Sequence, residues 1–172
     1  LATASGFGAI YTSGASSRIV TDQKVAVSVP TNMKGVDASA GNSIQIGNGV
    51  IRADRCGIDV ANAGSVLFTG DVYGLGSGAD GVSCRYGGDV QVNGTVYSDG
   101  IGVDAQSQGH VSVTRDVLTY DAHGTIGAYA FEGAIVQITG NVTAPNKGVF
   151  AEGGTISVEG SVTGGAVGSY GA

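Results

Sequence analysis

The chain has 172 residues, enough for one domain with a sizeable core. Its 32 Gly lack a Gly-x-y period and alternate with abundant Val and Ile, which excludes collagen and flexible linkers. Eight Lys and Arg stand against 14 Asp and Glu, for a net charge of -6, and no apolar run reaches the roughly 18 residues of a transmembrane helix, so neither nucleic acid nor membrane insertion is expected.

Residues 1–34 are the least regular part and carry Arg18, Lys24 and Lys34 against Asp22 alone. Gly8-Ala9-Ile10-Tyr11 can open a degenerate turn, and Val25-Ala26-Val27-Ser28-Val29 alternates as a strand does. This segment is expected to be an irregular cap or first turn that shields an open core. The chain starts at Leu1 without a Met or a signal-peptide pattern, and so reads as a processed chain or an excised fragment.

From residue 35 to 172 a repeat takes over. Gly-apolar steps recur at Gly35, Gly57, Gly81, Gly102, Gly127, Gly148 and Gly168, at intervals of 22, 24, 21, 25, 21 and 20 residues. Each unit contains Gly-Val-x-Ala, a polar or Gly-rich bend, then Val-x-Val-x-Gly-x-Val, as in Val90 to Val96 and Ile156 to Val162. Period-two alternation means strands with one buried face. Strands plus bends in 20–25 residues make one turn of a solenoid, each strand pairing in parallel with its copy in the next turn. The fold expected is therefore all-β, a single parallel β-helix of about seven turns, right-handed by the usual crossover preference. A sandwich of hairpins is the alternative, but Asn93-Gly94 and Asp80-Gly81 fall at repeat-equivalent places and read as corners. Three inward columns follow from the alignment: Val36 to Val149, Ala38 to Ala151, and Ile46 to Val158. After Gly168 a further turn begins and breaks off at Ala172, which suggests that the natural chain continues.

Gly148-Val149-Phe150-Ala151-Glu152-Gly153-Gly154-Thr155-Ile156-Ser157-Val158-Glu159-Gly160 resembles the passenger repeats of bacterial autotransporter adhesins and related β-strand-repeat surface proteins, and Gly127 to Gly140 looks like another copy. The resemblance covers residues 35–172 and lies in the style of the repeat. It implies a right-handed β-helix outside the cell, on the cell surface or secreted, used as an adhesin or stalk. It supplies no catalytic residues.

Outward positions carry the functional candidates. Two residues after each step Gly come Asp37, Asp59, Ser83, Asp104, Tyr129, Phe150 and Tyr170, and four after come residues that include Arg85, Phe131 and Glu152. Tyr129, Phe131, Phe150 and Tyr170 thus form an aromatic face suited to a contact, with a glycan or protein of a host or bacterial surface, or with a neighbouring domain or subunit. A second outward row is expected at Ile51, Tyr73, Tyr97, Leu118, Thr143 and Thr163. Asp54, Asp80, Asp99 and Asp121 should lie along one edge, where calcium is the only cofactor the spacing admits; Asp in bends is ordinarily turn chemistry, and no cofactor is expected. Cys56 and Cys84 sit about four residues out of phase, beyond disulfide reach, and are expected to be free thiols.

An enzyme is not expected. Arg85 near Asp59 and Asp104 admits a polysaccharide lyase or hydrolase arrangement, with a surface ion pair as the plainer reading. His110 and His123 are out of phase, and no Gly-x-Ser-x-Gly elbow precedes a helix. The leading expectation is a non-enzymatic β-helical surface module, and its rival is a carbohydrate-active β-helix for an acidic polysaccharide, with or without calcium.

Overall fold

The computed structural model describes residues 8–12, 14–29, 31–120 and 125–165. The chain is a parallel β-solenoid of about seven turns, without a helix among the described residues. The first three turns have two strands each: β1 (Gly8–Tyr11) and β2 (Arg18–Val29), β3 (Lys34–Ala38) and β4 (Ser43–Ala53), then β5 (Cys56–Val60) and β6 (Ser65–Gly74). The later turns have three. These are β7 (Asp80–Arg85), β8 (Asp89–Asn93) and β9 (Val96–Ser98), followed by β10 (Val103–Gln106), β11 (His110–Val113) and β12 (Val117–Thr119). Next come β13 (Ile126–Phe131), β14 (Ile135–Ile138) and β15 (Val142–Thr143), and finally β16 (Lys147–Glu152), β17 (Thr155–Val158) and β18 (Val162–Thr163).

Opening strands of successive turns build a seven-stranded sheet in the order β1-β3-β5-β7-β10-β13-β16. All remaining strands join one 11-stranded sheet. Every strand pair is parallel, which removes the hairpin sandwich. Asn93-Gly94 is a corner, joining β8 to β9, whereas Asp80-Gly81 opens β7 and lies inside a strand. At the bend that divides the later strands, side chains cap the neighbouring turn. The Thr95 N–H donates to Asp71 Oδ1 (3.0 Å), the Asn141 N–H to Asp116 Oδ1 (2.7 Å) and the Ser161 N–H to Asn141 Oδ1 (2.9 Å). Backbone groups that leave the ladder are thereby satisfied.

Inward side chains stack in register. Val36, Ile58, Val82, Val103, Ala128 and Val149 pair turn by turn, as do Ala38, Val60, Cys84, Ala105, Ala130 and Ala151. Ile46, Phe68, Val92, Val113, Ile138 and Val158 form the third expected column. Phe68 is the largest fully buried side chain. In the last turn Ala151 is exposed and Val158 half-buried, because among the described residues only one neighbouring turn packs against them.

The Gly of each Gly-apolar step among the described residues has a packing cause. A Cβ on Gly35, Gly57, Gly81, Gly102, Gly127 or Gly148 would stand 2.2–2.4 Å from a γ-carbon of Ile51, Val72, Val96, Val117, Val142 or Val162 respectively. Those six residues line the opposite wall, and the space a Cβ would need is already theirs. The recurring Gly therefore lies within a strand and faces the core, rather than marking a bend.

Candidate functional site

The outward row of the seven-stranded sheet runs Tyr11, Asp37, Asp59, Ser83, Asp104, Tyr129 and Phe150 in register. Its two halves have different chemistry. In the acidic half, Asp59 is only 5% exposed although it points away from the core. Lys34 Nζ lies 2.6 Å from Asp59 Oδ2 and 2.9 Å from Asp37 Oδ2, and Arg85 Nη2 lies 3.1 Å from Asp59 Oδ1. Burial works against the Lys34 ammonium, but its hydrogen bonds to Asp59 and Asp37 outweigh that effect and raise its pKa. Asp104, 6% exposed, accepts both of its hydrogen bonds from Gln106 Nε2, each 2.9 Å. Burial raises the Asp104 pKa, and the Gln106 bond offsets only part of that rise.

These groups enclose a pocket of about 120 Å³ lined by Lys34, Arg55, Cys56, Asp59, Asp80, Ser83, Arg85 and Asp104. Asp80 reaches it because β5 and β7 pair Cys56 with Asp80, one position before the step Gly. The Ile101 N–H donates to Asp80 Oδ1 at 3.0 Å. Burial pushes the Asp80 carboxyl up to about 6, with Asp104 and Asp59 adding to the rise. The pocket thus places a carboxylate ion-paired to two cations beside one whose pKa burial has pushed up to about 6. Asp59 and Arg85 form the ion pair that the sequence admitted. Lys34 and Arg55 were not among the sequence candidates; Lys34 shares its offset from the step Gly with Cys56 and Asp80, and that offset was the available signal.

In the aromatic half, Tyr129 and Phe150 stack with centroids 5.6 Å apart at 9°, and the Phe131 ring lies 6.2 Å from Tyr129 at 13°. Lys147 Nζ sits 4.3 Å above the Phe150 ring, a cation–π contact. All three rings are half-buried. Tyr170 lies outside the described residues.

The second outward row differs from expectation at its start. Ile51 is fully buried and pairs with Val72 in the core, and Arg52 takes the outward place opposite Tyr73. A bulge in β4 between Ile46 and Gly49 inserts one extra residue, and a one-residue slip exchanges the two faces. From Tyr73 on, the row Tyr73, Tyr97, Leu118, Thr143 and Thr163 is in register. It carries an aromatic ladder: Arg52 Cζ lies 4.7 Å over Tyr73, Tyr73 and Tyr97 stack at 4.5 Å, and Tyr97 and Tyr120 at 6.2 Å. Tyr120 was missed in the sequence, although it stands two residues beyond Leu118 on the same face.

Acidic residues expected along one edge do not line up. Asp80 is level with Cys56, while Asp54 accepts from the Asn32 N–H (2.7 Å) and the Asp99 N–H donates to the Gly74 carbonyl. Asp121 and His123 lie outside the described residues. Among the described residues, no three His, Cys, Asp or Glu side chains converge as metal ligands. His110 Nδ1 lies 2.8 Å from Asp89 Oδ1. Both Cys56 and Cys84 are buried free thiols, and burial raises the pKa of each, Cys84 to about 12.

No protein-family model, curated protein or solved structure matches this chain.

Proposed function

We propose that this β-solenoid is a non-enzymatic module displayed on a cell surface or secreted, a stiff stalk or adhesin segment that makes its contact through Tyr129, Phe131 and Phe150. The reading rests chiefly on the aromatic cluster of the seven-stranded sheet, in which three near-parallel rings share one outward face. Lys147 over Phe150 gives that face a cationic rim, which suits a partner carrying carboxylates or hydroxyls. The resemblance of Gly148 to Gly160 to adhesin passenger repeats points the same way. Tyr129→Ala and Phe150→Ala test the proposal in a cell-binding or self-association assay. Loss of binding or association with an unchanged unfolding midpoint supports it, and full retention in the double variant removes the face as a site.

A second reading is favoured by one feature, the pocket in which Asp80, with its carboxyl pushed up to about 6, lies beside Asp59 and Arg85. Such a pair of unlike carboxyls is suited to acid–base work on an acidic polysaccharide. Incubation with a uronate polymer, with and without chelator, separates the two readings, since release of unsaturated or shortened products would defeat the stalk.

A further inference from the structure

The corner that follows the seven-stranded sheet is built from stacked pairs of left-handed residues. Tyr86 and Gly87 (φ 53° and 70°), Ser107 and Gln108 (47° and 65°), and Glu132 and Gly133 (50° and 76°) occupy it in three successive turns. Main-chain bonds tie the turns together, from the Gly87 N–H to the Ser107 carbonyl (3.1 Å) and from the Gln108 N–H to the Glu132 carbonyl (3.0 Å). The backbone at this corner is therefore spent on its neighbours, and its side chains are left facing outward.

Those side chains frame a groove of about 380 Å³ lined by Tyr86, Gly87, Ser107, Gln108 and Glu132. Three properties mark it as receptive. Tyr86 is 61% exposed and, unlike Tyr73, Tyr97 and Tyr129, has no ring stacked on it among the described residues. Its position is also costly for a bulky side chain, because left-handed φ favours Gly or Asn, and the preceding turn has Asn62 there. Glu132 uses Oε2 to accept from Ser107 Oγ (2.9 Å), while its Oε1 and the Gln108 amide have no partner among the described residues. The groove thus offers an open aromatic face, an amide and a carboxylate oxygen, with no Lys or Arg in its lining.

We propose that this groove binds an uncharged saccharide, one sugar ring lying on Tyr86 and its hydroxyls bonding Glu132 Oε1 and the Gln108 amide. An apolar ring face with outward hydroxyls matches that set, since aromatic rings take apolar faces while carboxylate and amide accept or donate at the rim. The lone carboxylate repels uronates. Its lining shares no residue with Tyr129, Phe131 and Phe150, and the proposal does not rest on that face.

NMR titration of the full chain with hexamers of β-1,4-glucose, β-1,4-N-acetylglucosamine and α-1,4-galacturonate tests the proposal. At least one neutral hexamer should bind saturably with its largest shifts at residues 86, 108 and 132, and the galacturonate should bind more weakly. Tyr86→Ala should weaken binding at least about tenfold, and Glu132→Gln less. Tyr86→Asn, which suits the left-handed backbone, should lose binding while the fold is retained. Tyr120→Ala, an exposed ring in neither site, should leave it unchanged. No saturable binding by either neutral hexamer up to about 10 mM, or binding indifferent to both Tyr86 variants, would overturn the proposal.

Discussion

Replacement of Asp80 by Asn should stabilise this protein at neutral pH, and by an amount that depends on pH in one direction only. Burial holds the Asp80 carboxyl at about 6, against 3.8 for an ordinary aspartate. Between those values the folded chain binds a proton that the unfolded chain has released, so stability falls as pH rises from about 4 to about 6. Raising the carboxyl by that much corresponds to about 3 kcal/mol lost by pH 7. Asn cannot ionise, yet its Oδ1 still accepts the Ile101 N–H that Asp80 accepts at 3.0 Å. Urea unfolding followed by far-UV circular dichroism at several pH values gives the comparison. The variant and the natural chain should coincide near pH 4 and separate to about 3 kcal/mol near pH 7. Carboxyls remote from Asp80 titrate alike in both proteins and cancel, so the difference reports Asp80 together with its coupling to Asp59 and Asp104. A constant gap across the range, or a less stable variant at pH 7, would refute the burial argument.

Gly102→Ala should cost about 3 kcal/mol, at the upper end of overpacking, because the new methyl would stand 2.3 Å from Val117 Cγ1 and 2.4 Å from the Gly127 carbonyl oxygen; a smaller loss in combination with Val117→Ala, measured as a urea midpoint, would confirm the wall-to-wall clash. Phe68→Ala should cost about 3–5 kcal/mol by leaving a cavity under a fully buried ring, read from the same unfolding curves. Ellman's reagent should find no accessible thiol in the native chain and two after denaturation, since Cys56 and Cys84 are buried, free and hard to ionise; rapid native labelling would contradict that burial.

The interior was legible because its cause is periodic. Val36, Ile58 and Val82 each follow a step Gly, and alternation then assigns every other residue of the strand to the core. The same reasoning failed at Ile51, where Gly47-Asn48-Gly49 holds one residue more than Thr69-Gly70 in the next turn, and nothing in the sequence says which turn is longer. The charged pocket was hidden for a different reason. Asp59 and Arg85 were recognised as neighbours, but Lys34 reaches Asp59 from the adjacent turn, and the raised carboxyl of Asp80 depends on how completely the side chains cover it. Such coverage is a property of side-chain paths across the sheet rather than of spacing along the chain.

Register also decides which groups remain chemically open. Where a column repeats one kind of side chain, its members satisfy each other: Tyr73 stacks on Tyr97, and Tyr129 on Phe150. Stacked rings about one turn apart turn their faces to each other, so such a ladder stiffens the rod and presents mainly ring edges to a ligand. Opposite charges on adjacent turns likewise neutralise one another, as Lys34, Asp59 and Arg85 do. Unused capacity collects where a column changes its residue type. Tyr86 follows Asn62 and precedes Ser107, so its ring meets no ring, and Glu132 has a single serine for its two oxygens.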